Sequence, residues 1–481
     1  MLSRPLILSL FSLAVRPVTA DLTATITTGQ WGVWEGWGTS LAWWGVAFGD
    51  RDDLADLFFS RNTAKLGSQS APGLGFNIVR YNVGGSSNKP ADGKSMKVPS
   101  TMNPSRLVDG YWIDWNSKDP KSASWDWSVD ANQRNMMRKA KARGADIFEL
   151  FSNSPMWWML YNSNVAGADK GGNDNLQEWN HQDFALYLAT VSKYAKDNWG
   201  IDFQSVEPFN EPSVSWWNSK SGTQEGCHFD TKTQATIISM LRAELNSRGL
   251  NNQIIAASDE NTYDDATASL KGLIKAGAAA GIGRVNVHGY QYGGGDRQKL
   301  YETAKGAGKR LWQSEYAKGD ESGAEMVSNL ILDFRFLHPT AWVYWQAIDG
   351  GGWGIIDGEN KNKQLGAINQ KFYLLALFTR HIRPGMTILD SGEYWVTAYD
   401  AKARKLVIVA VNWLDAQILN FDLSRFSKPG TEGALVPRWS TFVGKGEQYV
   451  QHNDTKIVGK KFWSQFQKNQ VQTFEIADVA I

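Results

Sequence analysis

Between residues 36 and 385 two kinds of hydrophobic pattern alternate along the chain. Eight short runs, Thr39–Trp44, Phe76–Val83, Asp146–Phe151, Gln204–Phe209, Gln253–Ser258, Arg284–His288, Arg310–Gln313 and Ala341–Gln346, are rich in Val, Ile, Phe and Trp and do not alternate strictly with polar residues. Such runs suit strands buried on both faces, as in a parallel sheet. The stretches between them carry apolar residues at helical spacing, such as Phe184, Tyr187, Val191 and Tyr194. Two helical stretches carry clear stop signals: Met136–Arg143 ends at Gly144 and Thr233–Arg248 at Gly249, each directly before a strand run. Glycine there is the expected left-handed cap.

Eight strand–helix units in about 350 residues predict an α/β fold, a (β/α)8 barrel over residues 36–385. A doubly wound open sheet is the rival, but no glycine-rich phosphate loop follows the first strand run. After Arg383-Pro384-Gly385 the pattern changes. Glu393–Tyr399, Leu406–Asn412 and Gln470–Ile476 read as strands separated by turn residues, which predicts an all-β sandwich over residues 386–481. The run Leu22–Thr28, within residues 21–35, also reads as a strand. It is expected to join that sandwich, because chain ends often lie close together.

Composition narrows the partners. A net charge of +1 leaves no footprint for nucleic acid and no basic run for an anionic membrane. The 23 tryptophans suit a cleft in which sugar faces stack on indole rings. Residues 1–20 predict a signal peptide: Arg4, an apolar run Leu6–Val15 and the small-residue site Val18-Thr19-Ala20. The apolar run is too short to span a bilayer. The expectation is therefore a secreted, extracellular protein, a monomer by default. The single cysteine, Cys227, excludes an intrachain disulfide and reads as a buried structural thiol. With six histidines no metal-ligand spacing appears, so neither metal nor cofactor is implied. Asn453-Asp454-Thr455 is a glycosylation sequon.

In a (β/α)8 barrel the chemistry sits at the C-terminal ends of the strands. The polar residues at those ends are Arg80 and Asn82 for the second run, Asn153 with Trp157 and Trp158 for the third, Asn210-Glu211 for the fourth, Asp259-Glu260 for the fifth, His288 and Tyr290 for the sixth, Glu315 for the seventh, and Trp345-Gln346 for the eighth. Two carboxylates, Glu211 and Glu315, thus face one mouth. Cleaving a glycosidic bond needs such a pair, one to protonate the leaving oxygen and one to attack the anomeric carbon or activate water. Alternation along the fourth run groups Glu207, Phe209 and Glu211 on one face, and Glu207 reads as a deeper, paired structural carboxylate. Pro212 disfavours a helical conformation for Glu211. Asp259 and Glu260 either bind sugar hydroxyls or cap the next helix. One of Trp43 and Trp44, and one each of the pairs Trp157/Trp158 and Trp216/Trp217, are expected to reach the mouth. His288 reads as a hydrogen-bonded side chain there rather than a metal ligand.

This constellation resembles the clan A retaining glycoside hydrolases, and more closely glycoside hydrolase family 30, over essentially the whole mature chain. Trp34–Trp44, Asn153–Met159, Glu207–Pro212 and Gln313–Tyr316 are similar to segments of the family's fungal enzymes that cut β-1,6-galactan internally. The resemblance implies Glu211 as general acid and then base, Glu315 as nucleophile, and Asn210 on the sugar 2-hydroxyl. It also implies Arg80 and Tyr290 against Glu315, keeping it ionised, Glu211 protonated at the start, and Trp345 as the floor of the reacting subsite. Asn153, Trp157, His288, Glu260 and Trp44 complete the expected substrate contacts. The partner implied is a polysaccharide, β-1,6-galactan. β-1,6-Glucanase, glucosylceramidase and glucuronoxylanase share the two glutamates, and a non-catalytic carbohydrate-binding protein would share the tryptophans.

Overall fold

The eight apolar runs form eight parallel strands that close into a ring: β1 (Gly36–Ser40), β2 (Ile78–Asn82), β3 (Ile147–Phe151), β4 (Ser205–Glu207), β5 (Ile254–Glu260), β6 (Arg284–His288), β7 (Arg310–Tyr316) and β8 (Ala341–Gln346). The computed structural model describes residues 22–481, so the expected signal peptide lies outside the described residues. β6 and β8 coincide with their predicted runs. β1 starts and ends earlier than predicted, because the apolar run continues into a short helix, Trp44–Phe48, instead of a longer strand. β4 stops at Glu207, so strand alternation does not extend to Glu211. The barrel floor is apolar, built from Ile78, Ile147, Trp312, Ala341 and Val343.

The ring slips register at the C-terminal ends of its strands. Asn286 and Val287 face Ser258 and Glu260, leaving Asp259 as the extra residue. Val287 and His288 face Gln313 and Glu315, leaving Ser314. Tyr344 and Gln346 face Thr39 and Ser40, leaving Trp345. A bulge re-aims side chains that plain alternation would send outward. Here it lets Ser314 and Glu315, neighbours in sequence, both reach the interior.

Apart from three two-stranded ribbons, the remaining strands stack into two sheets beside the barrel, and the N-terminal segment feeds both. Leu22–Thr25 pairs with Gln417–Asp422 in a three-stranded sheet, and Gln30–Val33 pairs with Thr387–Leu389 at the edge of a seven-stranded sheet. The strand Lys405–Asn412 lies inside the larger sheet and is buried on both faces. Leu406, Ile408 and Ala410 meet Phe421, Phe462 and Phe474 between the sheets, while Val407, Val409 and Val411 belong to the barrel's own core. The helix Gln370–Thr379, with all ten residues buried, lies against this larger sheet. Cys227 is buried, and burial pushes its thiol well up, which suits a structural role.

Candidate active site

Glu211 sits four residues beyond the end of β4, in backbone that the sequence alone would not supply. Its φ is +49°, and that of Asp259 is +58°. Left-handed backbone costs a residue other than glycine about 1–2 kcal/mol. Here it is held by local bonds: Glu211 N–H donates to the Asp259 carbonyl at 2.8 Å, and the Trp217 indole donates to the Glu211 carbonyl at 2.9 Å. Pro212 disfavours the right-handed alternative. The carboxylate accepts from Asn261 at 2.8 Å and lies 3.1 Å from His288 Nδ1.

Glu315, on β7, is 4 % exposed. It accepts from the Tyr290 hydroxyl at 2.8 Å and lies 3.4 Å from Arg80 and 3.5 Å from His288 Nδ1. One oxygen of Glu211, one of Glu315 and a ring nitrogen of His288 all lie within 4.8 Å of one another. His288 is fully buried, with Nε2 3.3 Å from Asp259. Burial opposes its charge, but Glu315 and Asp259 override that and raise it to about 10. Burial pushes Glu315 up to about 7, against the downward pull of His288 and Arg80. Burial of the acid thus works against the charged neighbours that were expected to keep Glu315 ionised.

Beneath the pair runs a ladder of charges. Arg80, wholly buried, bonds to Glu149 at 2.8 Å, to Asp259, and to the Ser314 carbonyl at 3.1 Å. Glu149 is shared with Arg284, which stacks on Trp312 at the floor. Burial would push Asp259 up, but Arg80 and His288 hold it well below the usual range. Glu207 is buried as expected, and burial raises it well above its ordinary value; among the described residues it has no cationic partner, one oxygen accepting from the Phe209 N–H at 3.3 Å and the other unbonded.

Above the pair opens a cleft of about 540 Å³ lined by Trp43, Asn210, Trp216, Trp217, Tyr290, Tyr292, Trp345 and Trp353 among others. Trp345 meets Trp43 edge to face at 5.2 Å. Asn210 is 3 % exposed, and its side-chain oxygen has no partner among the described residues. Six expected contacts lie off the cleft wall: Arg80 and His288 are wholly buried and touch the carboxylates, and four others lie elsewhere. Trp44 is buried on the helix after β1, its indole bonded to the Ser40 carbonyl and its ring against Phe58, so Trp43 takes the cleft position. Trp157 is wholly buried and Trp158 packs on Trp112, so neither member of that pair lines the cleft. Glu260 is buried, accepts from Ser213 and Ser269, and is raised by burial to about 7; it ties the loop after β4 to the helix after β5. Asn153 is buried off the cleft wall, with neither amide atom bonded.

Asn261, Arg106, Tyr292, Asp349 and Trp353 line the cleft without having been singled out from the sequence. Asn261 directly follows Asp259-Glu260 and was within reach of the strand-end argument. Trp353 and Arg106 lie in long loops, where no periodicity marks them.

The profile of O-glycosyl hydrolase family 30 matches residues 16–271. A protein of Hypocrea rufa described as an endo-β-1,6-galactanase is 56 % identical over 99 % of this chain and 98 % of its own length. Among solved structures, a conserved exported protein from Bacteroides fragilis superposes with a TM-score of 0.75 at 18 % identity, covering 94 % of this chain and 99 % of that one. The catalytic domain of a family 30 xylanase C from Talaromyces cellulolyticus gives 0.69 at 18 % identity, covering 95 % and 100 %. These two show the same fold. The profile spans more than half of the chain and the Hypocrea rufa relative nearly all of it, and on that footing the chain is a glycoside hydrolase that belongs to O-glycosyl hydrolase family 30.

Proposed function

We propose that the chain is a secreted, retaining endo-glycosidase that hydrolyses β-1,6-linked galactan by double displacement. The observation that carries this reading is the carboxylate pair at the tips of β4 and β7, with oxygens within 4.8 Å. Retaining enzymes hold their carboxyl groups about 5–5.5 Å apart, inverting ones about 6.5–9.5 Å. In the first step Glu211 gives its proton to the glycosidic oxygen as a Glu315 oxygen attacks the anomeric carbon. The leaving chain departs and a glycosyl ester forms on Glu315. In the second step Glu211 takes a proton from water, the water oxygen attacks the anomeric carbon, and Glu315 leaves as carboxylate. Arg80, Tyr290 and protonated His288 offset the charge that Glu315 carries at the start and end of this cycle. Asn210, with an unpaired amide oxygen on the cleft, is suited to the sugar 2-hydroxyl, and Trp345 to the sugar face.

The substrate rests on the full-length relative described as an endo-β-1,6-galactanase. The test is reducing-sugar release with product sizing on β-1,6-galactan, β-1,6-glucan and glucuronoxylan, for wild type and Glu315→Gln. Short β-1,6-galacto-oligomers from wild type alone are expected. Release from glucan or xylan only would keep the mechanism and discard the substrate.

A further inference from the structure

A buried ammonium behind the cleft has no part in the reaction described above. Lys371, on the helix Gln370–Thr379, is 1 % exposed. Its Nζ lies 3.0 Å from the Lys318 carbonyl, bonds the Gly352 carbonyl, and lies 3.3 Å from that of Trp353. Among the described residues no carboxylate lies within 4.0 Å of it. Lys318 follows β7, and Gly352 and Trp353 follow β8, so one cation ties together the two loops on the Glu315 side of the cleft. Taking an ammonium out of water is costly, and burial lowers this one to about 8.

What the cation holds is Trp353. This indole is 39 % exposed on the cleft wall, with its ring centre 6.4 Å from that of Tyr290, the residue bonded to Glu315. It sits in Gly350-Gly351-Gly352-Trp353-Gly354, where Gly351 and Gly352 have φ of +62° and +73°. Glycine-rich backbone has little conformational preference of its own, so the turn must be fixed from outside. Lys371 and the Tyr344 hydroxyl, 2.5 Å from the Trp353 carbonyl, do so. The indole also lies against Gly319, where a side chain would crowd it.

We propose that Trp353 forms an outer sugar-stacking subsite on the β8 side of the cleft, for one pyranose of the bound chain, and that Lys371 is the positioning residue that holds it there. This rests on the reading that a glycan occupies the cleft. A flat, half-exposed indole fixed at its backbone offers its face to a sugar at little conformational cost.

The experiment measures kcat and KM for wild type, Trp353→Ala and Lys371→Met on whichever of galactan, glucan and xylan the wild type cleaves fastest, beside melting temperature. Failure of the galactan reading then shows in the choice of polymer and leaves the KM comparison readable. Trp353→Ala is expected to raise KM about ten-fold with kcat within about two-fold, the pattern of lost binding shared by ground and transition state. Lys371→Met is expected to do the same. An unchanged KM in Trp353→Ala overturns the subsite. A lowered melting temperature and kcat with unchanged KM in Lys371→Met makes the lysine merely structural and overturns the clamp. If Lys371→Met does not fold, Lys371→Gln replaces it, with an intermediate KM expected and a wild-type KM contradicting the proposal.

Discussion

At the scale of single residues, the proposed division of labour predicts different failures for the two glutamates. Glu211→Gln is expected to lower kcat by about 10²–10⁴-fold, the usual contribution of general acid–base catalysis. On an aryl glycoside whose leaving group needs no proton, kcat/KM is expected to recover, while kcat stays low until an external nucleophile such as azide replaces the water that Glu211 would activate. Glu315→Gln should not recover on any substrate, because no glycosyl ester can form. His288 supplies a charge that pulls Glu315 down. Removing it in His288→Asn should let Glu315 rise, so the acid limb of the kcat/KM profile is expected to move to higher pH; a limb that stays in place would separate His288 from Glu315. Both glutamates and their neighbours Arg80, His288 and Tyr290 were legible in the sequence, because each lies at or just past the C-terminal end of an apolar run that had to be a strand. Trp44 and Trp157 misled because position after a strand does not say which way a side chain turns once the backbone leaves the strand; Glu260 misled because it is still on β5, beyond the bulge at Asp259. In Trp43-Trp44 a helix starts at the second residue and buries it.

At the scale of elements, the eight strands were readable from burial on both faces, but their ends were not. The bulges at Asp259, Ser314 and Trp345 place site residues and leave no trace in an apolar pattern, since each adds one residue to an otherwise regular strand. Alternation along the fourth run gave Glu211 the right mouth by the wrong route, because β4 ends at Glu207 and left-handed backbone does the placing. The link between the loop after β4 and the helix after β5 has a pH signature. Unfolded, Glu260 ionises near 4.5; folded, burial keeps it protonated to about 7. Between these values the native state holds the extra proton, so this group's contribution to stability falls as pH rises. Glu260→Gln keeps acceptor and donor for Ser213 and Ser269 without a charge. It is expected to flatten the dependence of Tm on pH between about 5 and 8 and to exceed the wild-type Tm at the upper end by the equivalent of up to about 3 kcal/mol. An unchanged slope would contradict a buried, protonated Glu260.

At the scale of the whole molecule, the change of pattern after Gly385 was visible, but its consequence was not. The unbroken apolar run Leu406–Val411 says that both faces are apolar without saying that they belong to two different cores. Because Val407, Val409 and Val411 complete the barrel's core, a chain ending at residue 385 would expose that face to water. Its expected behaviour is insolubility or loss of a cooperative thermal transition, and a soluble, active barrel lacking residues 386–481 would contradict the shared core. All of this architecture serves to hold two carboxylates close together in one mouth, and the central claim is that they act by double displacement. The most direct test is proton NMR of a β-1,6-galacto-oligosaccharide during the first minutes of hydrolysis. The account predicts that the newly formed reducing end appears first as the β-anomer and then mutarotates. Initial appearance of the α-anomer would contradict it.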